Sequence, residues 1–189
     1  MTILTKKFDD ALLYAGHIHG GQVRKGTAIP YVSHLLSVAA LTMEHGGNED
    51  QAIGALLHDA AEDCGGEPRL EDIRRRFGDP VGDIVRDCTD SWVEPKPPWR
   101  PRKEAYIASL ALKPETSLLV SLADKTHNAR SIVTDLDEIG DAIWNRFRAG
   151  RDEVVWYYRT LADAFQGRTP ESLSRELRFS VDLMQGGVR

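Results

Sequence analysis

The sequence predicts an all-α protein, and three observations predict it. Apolar residues recur at three- and four-residue spacing along most of the 189 residues, the period of one helix face. Glycines and prolines fall between those stretches, where a helix has to stop. No run alternates apolar and polar residues over the length of a strand. The pattern amounts to about ten helices in a single domain, residues 1–189, with no internal repeat or low-complexity tract.

Residues 5–17 place Phe8, Ala11, Leu12 and Ala15 on one face. Gly20-Gly21-Gln22-Val23-Arg24-Lys25-Gly26 reads as a loop, and Pro30 restarts the chain, being suited to a first helical turn. Leu35, Val38, Ala39 and Met43 or Thr42 mark the next buried face, which ends before Gly46-Gly47. Asn48 is a natural cap for a helix from Glu49, expected to run on through His58-Asp59-Ala60-Ala61-Glu62-Asp63 until Gly65-Gly66. Leu70, Ile73 and Phe77 mark a short helix stopped at Gly78, and Val81, Ile84, Val85 and Cys88 mark another. Residues 91–101 are irregular, with Pro95, Pro97, Pro98 and Pro101 around Trp92 and Trp99; a loop of that length in a compact domain is often functional. Helices are then expected over 102–112, from Pro114 to about Asp135, over 140–166 and over 170–185.

Composition narrows the class. With 41% hydrophobic and 28% charged residues, the chain reads as a globular protein rather than a disordered one. No apolar run approaches the ~20 residues of a membrane span, and the N-terminal stretch lacks the apolar core of a signal peptide. Two cysteines, Cys64 and Cys88, are too few for a disulfide scaffold, so the expected compartment is the cytoplasm. A net charge of −5 argues against nucleic acid as a partner. Oligomeric state is left open.

Polar groups stand in apolar surroundings at three places. His34 lies in Pro30-Tyr31-Val32-Ser33-His34-Leu35-Leu36; taken alone it is a hydrogen-bonded interior histidine. An apolar run ends in His58-Asp59, followed by Glu62 and Asp63. On a helix these share a face, and three carboxylates there repel one another unless a cation joins them. Asp124 follows the apolar Leu118-Leu119-Val120-Ser121-Leu122-Ala123, with Asn128 one turn on; alone, Asp124 pairs with Lys125 or Arg130. Together, His34, His58, Asp59 and Asp124 supply two imidazoles and two carboxylates from three helices, the way bundles build metal sites. Mixed nitrogen and oxygen donors suit manganese, iron or zinc alike. The spacing is not that of a zinc finger, which points to a catalytic metal.

The Gln22–Thr27 loop, Pro30-Tyr31 with His34-Leu35, His58-Asp59-Ala60-Ala61-Glu62-Asp63, Phe77-Gly78, and Leu122-Ala123-Asp124-Lys125 with Asn128-Ala129-Arg130 follow one another over residues 10–135. In this order they resemble the HD-domain phosphohydrolase superfamily. More narrowly, they are similar to the hydrolase domain of RelA/SpoT-type alarmone enzymes, including stand-alone SpoT homologues. The resemblance implies an HD-domain helical bundle, with C-terminal helices over 136–189, and one divalent metal, usually Mn2+, held by His34, His58, Asp59 and Asp124. It implies Glu62 and Asp63 as the catalytic pair managing the attacking water, and Arg24, Lys25 and Asn128 as contacts for a nucleotide and its phosphates. The chain departs from the long RelA/SpoT proteins at Asp90, where they tend to have lysine, and in the proline-rich 91–101 loop. No synthetase region is present in the 189 residues, so synthesis of the alarmone is not expected of them.

The chemistry asks for a metal independently. Phosphate-monoester hydrolysis needs accelerations of up to ~10²¹, and general acid–base catalysis alone typically gives ~10²–10⁴. Glu62 or Asp63 takes the proton of the nucleophile, with Glu62 slightly preferred as the closer participant. Arg24-Lys25 beside glycines suits phosphates, although a solvated loop has the same composition. Trp99-Arg100-Pro101-Arg102-Lys103 places cations such as Lys103 beside an indole, over a nucleotide or at an ordinary charged helix start. Arg74-Arg75-Arg76 reads as a solvated face, and Trp144, Trp156, Tyr157 and Tyr158 as core. The expected activity is metal-dependent hydrolysis of a small-molecule nucleotide, foremost the 3′-pyrophosphate of guanosine tetra- or pentaphosphate. The alternatives are a nucleotidase, an NADPH 2′-phosphatase on the same scaffold, or a non-catalytic nucleotide sensor.

Overall fold

The structure is a computed structural model that describes residues 2–91 and 95–186. Within the proline-rich segment, Trp92, Val93 and Glu94 lie outside the described residues. Among the described residues ten α-helices follow one another: α1 Lys6–Ile18, α2 Val32–Glu44, α3 Glu49–Leu57, α4 Ala60–Asp63, α5 Gly66–Phe77, α6 Asp79–Cys88, α7 Trp99–Leu110, α8 Glu115–Ile139, α9 Gly150–Ala164 and α10 Glu171–Met184. A 3-10 segment, Gly140–Arg146, joins α8 to α9. Among the described residues there is no sheet, only an isolated bridge between Val23 and Pro30. None of the described helices is long and apolar enough to cross a membrane.

The cap expected at Asn48 forms, and Thr5 supplies one that was not expected. Thr5 Oγ1 accepts from the Lys7 N–H at the start of α1. Asn48 and Gln51 form a reciprocal capping box at the start of α3, satisfying two amides that the helix geometry leaves open. Helix α8, about 38 Å long at 1.5 Å per residue, is the axis of the bundle. It packs against α2, α3, α6 and α10, and Leu118, Val120, Leu122, Ala123 and Ala129 on it are buried. At Gly54 on α3 the backbones come so close that a Cβ would meet Ile84 Cγ2 of α6 at 2.6 Å. This approach lets α3, which carries His58 at its end, sit deep in the core.

Several boundaries differ from the sequence expectation. The helix from Glu49 does not run unbroken to Asp63: His58 and Asp59 form a turn between α3 and α4, with Asp59 at φ −96°, ψ −2°. His58 Nδ1 lies 2.8 Å from the Ala55 carbonyl, and a side chain bonded three residues back competes with the helical ladder. The i,i+4 relation survives the break, because the Asp63 N–H still donates to the Asp59 carbonyl at 2.9 Å. Helix α7 starts at Trp99 rather than Arg102, taking Pro101 into its first turn, where a missing N–H costs nothing. Helix α8 runs one turn beyond Asp135. The helix expected over 140–166 is divided, since Gly150 adopts φ +76°, a conformation that needs glycine and admits no continuous helix.

Candidate active site

Three helices bring the predicted ligands together. His34 comes from the first turns of α2, His58 and Asp59 from the α3–α4 break, and Asp124 from the middle of α8. His34 and His58 are 0% and 1% exposed. His34 Nε2 lies 3.2 Å from Asp124 Oδ1 and 3.7 Å from Asp59 Oδ2. His58 Nε2 lies 3.0 Å from Asp59 Oδ2 and 3.5 Å from Asp124 Oδ1.

The donor set fits a cation. Both Nε2 atoms are buried without a hydrogen-bond partner, a costly state unless something else satisfies them. Donor atoms of His34, His58 and Asp59 all lie within 4.8 Å of one another; donors about 2.1 Å from a shared ion are at most ~4.2 Å apart.

Electrostatics points the same way. Burial opposes charge on Asp59 and Asp124. It is outweighed for Asp59 chiefly by the His58 charge, and for Asp124 by Lys125 and the imidazoles, so both carboxyls are held well below the usual range. His58, whose burial works against protonation, is pushed well above its ordinary value by Asp59 and Asp124. The centre needs positive charge. A proton on His58 is one source, and a divalent cation between neutral imidazoles is another.

A second layer of contacts orients these groups. The Ala55 carbonyl takes the Nδ1 proton of His58, directing the Nε2 lone pair inward, the usual arrangement behind a metal-bound histidine. His34 Nδ1 is 2.8 Å from His127 Nδ1. His127 itself is pushed down to about 4 by burial and by the neighbouring His34 and Arg24, so one of the two rings donates and the other accepts. The Tyr31 hydroxyl donates to Asp59 Oδ2. Lys125 Nζ donates to Asp124 Oδ2 at 2.6 Å and Asn128 Nδ2 to Oδ1 at 2.5 Å.

Glu62 and Asp63 follow on α4, in different settings. Both oxygens of Glu62 are engaged, Oε1 by Lys96 Nζ at 2.6 Å and Oε2 by the Asp90 N–H at 3.3 Å. Burial and then the Asp90 charge raise its pKa against the pull of Lys96. Asp63, at the exposed rim, has one donor among the described residues, Gln22 Nε2 at 2.7 Å. Desolvation and the Asp59 charge raise it as well.

Beside this centre opens a cleft of about 530 Å³, lined by Arg24, Lys25, Tyr31, His127, Asn128 and Phe147 among others, within the range of small-molecule sites. Arg24 Nη2 donates to Asn128 Oδ1 at 2.7 Å, and Lys25 Nζ stands 5.7 Å from the Phe147 ring centre. A larger hollow of about 1070 Å³ between α1 and α5 contains none of the residues of the centre.

Lys103 does not line the cleft. Its amine donates to Asp90 Oδ2 at 2.5 Å, and Arg102 holds the same carboxylate. Arg100 pairs with Glu104 and Glu153, so residues 99–103 form the charged helix start that was the plainer of the two readings. Tyr31, His127 and Lys96 carry site contacts that sequence reasoning passed over. Tyr31 and His127 had a signal, each lying three residues from a predicted ligand; Lys96 among prolines had none.

A family model described as HD domain matches residues 11–155. The chain belongs to the HD-domain family. Within it, the chain is 31% identical over 190 residues to guanosine-3′,5′-bis(diphosphate) 3′-pyrophosphohydrolase MESH1 of Drosophila melanogaster, covering 99% of this chain and 98% of the relative. Against the bifunctional (p)ppGpp synthase/hydrolase SpoT of Escherichia coli it is 30% identical over 133 residues, 67% of this chain and 18% of that enzyme. The solved structure of a metazoan SpoT orthologue, described as hydrolysing ppGpp and acting in starvation responses, superposes with a TM-score of 0.80 at 26% identity over 100% of both chains. The fold is that of an HD-domain metal-dependent phosphohydrolase related to the RelA/SpoT/MESH1 proteins.

Proposed function

We propose that this HD-domain hydrolase removes the 3′-pyrophosphate of guanosine tetra- or pentaphosphate, releasing pyrophosphate and leaving GDP or GTP. The observation that carries the reading is the adjacency of a cationic cleft, with Arg24 and Lys25, to a buried centre where the Nε2 atoms of two imidazoles have no hydrogen-bond partner. The end-to-end similarity to a relative named for this activity supports it. His34, His58, Asp59 and Asp124 would hold one divalent cation, manganese by family resemblance. When bound, it supplies a Lewis acid that makes water nucleophilic at neutral pH and withdraws charge from the phosphoryl oxygens.

The chain's own residues do the rest. Arg24 and Lys25 anchor phosphate oxygens, and Asn128, bonded to both Arg24 and Asp124, ties the anchor to the centre. We assign the proton transfer from water to Asp63 rather than to Glu62, the sequence-based preference, because the carboxylate of Glu62 is already engaged on both oxygens. Glu62 with Lys96 then orients the water or the departing pyrophosphate. Lys103 contributes through Asp90, whose N–H holds Glu62. Net hydrolysis adds water across the bond between the 3′ oxygen and its phosphorus, the 3′ oxygen leaving with the proton.

The test is incubation of metal-stripped protein, with and without manganese, against guanosine tetraphosphate, NADPH and a panel of nucleoside monophosphates. Release of pyrophosphate and GDP only with metal is the expected result. Orthophosphate from NADPH or a monophosphate instead would move the substrate and keep the centre. Nucleotide binding without turnover would make the protein a sensor.

A further inference from the structure

Two residues outside the metal centre converge on Asp63. His19 closes α1, its N–H donating to the Ala15 carbonyl, and its ring is 2% exposed and stacked on Tyr31 at 5.5 Å between centroids. Three residues on, Gln22 is fixed by its main chain at both ends. Its N–H donates to the His19 carbonyl at 2.9 Å, and its own carbonyl accepts from the Tyr31 N–H at 2.9 Å. The side chain bridges outward: Oε1 lies 2.6 Å from His19 Nδ1, and Nε2 donates to Asp63 Oδ2 at 2.7 Å.

The amide has a single workable orientation. With the proton of His19 on Nδ1, Oε1 accepts and the NH2 faces Asp63. Turned over, it would press an oxygen lone pair against a carboxylate and two N–H groups against a third, losing both bonds. The bridge is also uncharged, so it orients Asp63 without neutralising it, whereas Lys96 pairs with Glu62 as a full ion pair. Through the Tyr31 N–H the same residue is tied to the phenol that donates to Asp59. Gln22 therefore braces the catalytic carboxylate against the ligand-bearing wall of the site.

We propose that Gln22 is the positioning residue for Asp63, with His19 as its lock, committing Oδ2 to the fold and leaving Oδ1 to the water. This rests on the role proposed above for Asp63. Substitutions Gln22→Met, His19→Leu, His19→Asn and Asp63→Asn, with the double variant Gln22→Met/Asp63→Asn, are to be measured in metal-loaded protein on whichever compound the wild type hydrolyses. Misplacement of a reacting group costs up to ~10²-fold. We expect kcat of Gln22→Met to fall by about 10- to 100-fold, with KM and bound metal unchanged. His19→Leu should follow it, and His19→Asn, whose amide N–H replaces Nδ1–H, should recover most of the rate. In the Asp63→Asn background Gln22→Met should add nothing, since it acts only through that carboxylate.

Wild-type kcat in Gln22→Met, a loss confined to KM, or losses that multiply with Asp63→Asn would overturn the proposal. So would a crystal structure of Gln22→Met with the Asp63 side chain unmoved, a readout that needs no turnover. Asp63→Asn with full activity would instead remove the role of Asp63 itself, and this inference with it.

Discussion

His34, His58 and Asp124 sit on or at the ends of α2, α3 and α8 and are almost wholly enclosed, whereas Arg24, Lys25 and Lys96 stand on connecting segments and reach solvent. The first group is held by the core: the close α3–α6 packing at Gly54, the apolar face of α8, and side-chain bonds to Ala55 and His127. The second is held by one another and by a few acidic partners. Rigid helices suit donors that must stay within tenths of an ångström of an ion, and loops suit contacts that adjust to a nucleotide. A change in the enclosed half should therefore remove chemistry, and a change in the open half should weaken or redirect binding.

The sharpest break of that contrast is Asp59→Ala: its carboxylate, 22% exposed, closes the enclosed half on its open side, and its loss should abolish bound metal and turnover together while leaving the fold intact by circular dichroism. On the open side, Arg24→Ala should raise KM by about 10- to 100-fold, the ~1.5–3 kcal/mol of a charged hydrogen bond, with kcat changed far less in steady-state kinetics. If Arg24→Ala instead lowered kcat alone, the division between the halves would fail. Gly54→Ala forces a methyl onto Ile84 Cγ2 and should cost about 1–3 kcal/mol as overpacking, read by urea denaturation.

A pH effect comes next. Burial works against the charged form of Asp90, but Lys103 and Arg102 hold it down at about 2 from an ordinary 3.8. A folded pKa below the unfolded one stabilises at pH above ~4 and is lost as pH falls through ~2, a contribution of about 2 kcal/mol. Asp90→Asn should flatten that acid limb in pH-dependent melting. Arg175→Ala, an exposed i,i+4 partner of Glu171, should change stability by less than ~0.5 kcal/mol.

Much of the enclosed half was legible in the sequence. His34, His58, Asp59 and Asp124 interrupt apolar stretches, where an unpaired polar group has a price, and that contradiction marks them. The helices were legible for the same reason, since burial imposes a period. The break at His58-Asp59 was not, because it comes from a side-chain bond to Ala55 that no periodicity encodes. Gly150, at φ +76°, divides the C-terminal helix even though the apolar period continues across it. The open half was less legible: Arg24 and Lys25 in a glycine loop look like any solvated loop, and Lys103 carries the same charge whether it meets a phosphate or Asp90. Long-range partners such as Lys96 and Glu62, 34 residues apart, need the fold to bring them together.

The most direct measurement is a crystal structure of the protein grown with manganese, with an anomalous difference map at the manganese edge. The account predicts one peak bonded to the Nε2 atoms of His34 and His58 and to oxygens of Asp59 and Asp124. No peak there, or a peak elsewhere such as the hollow between α1 and α5, would contradict it.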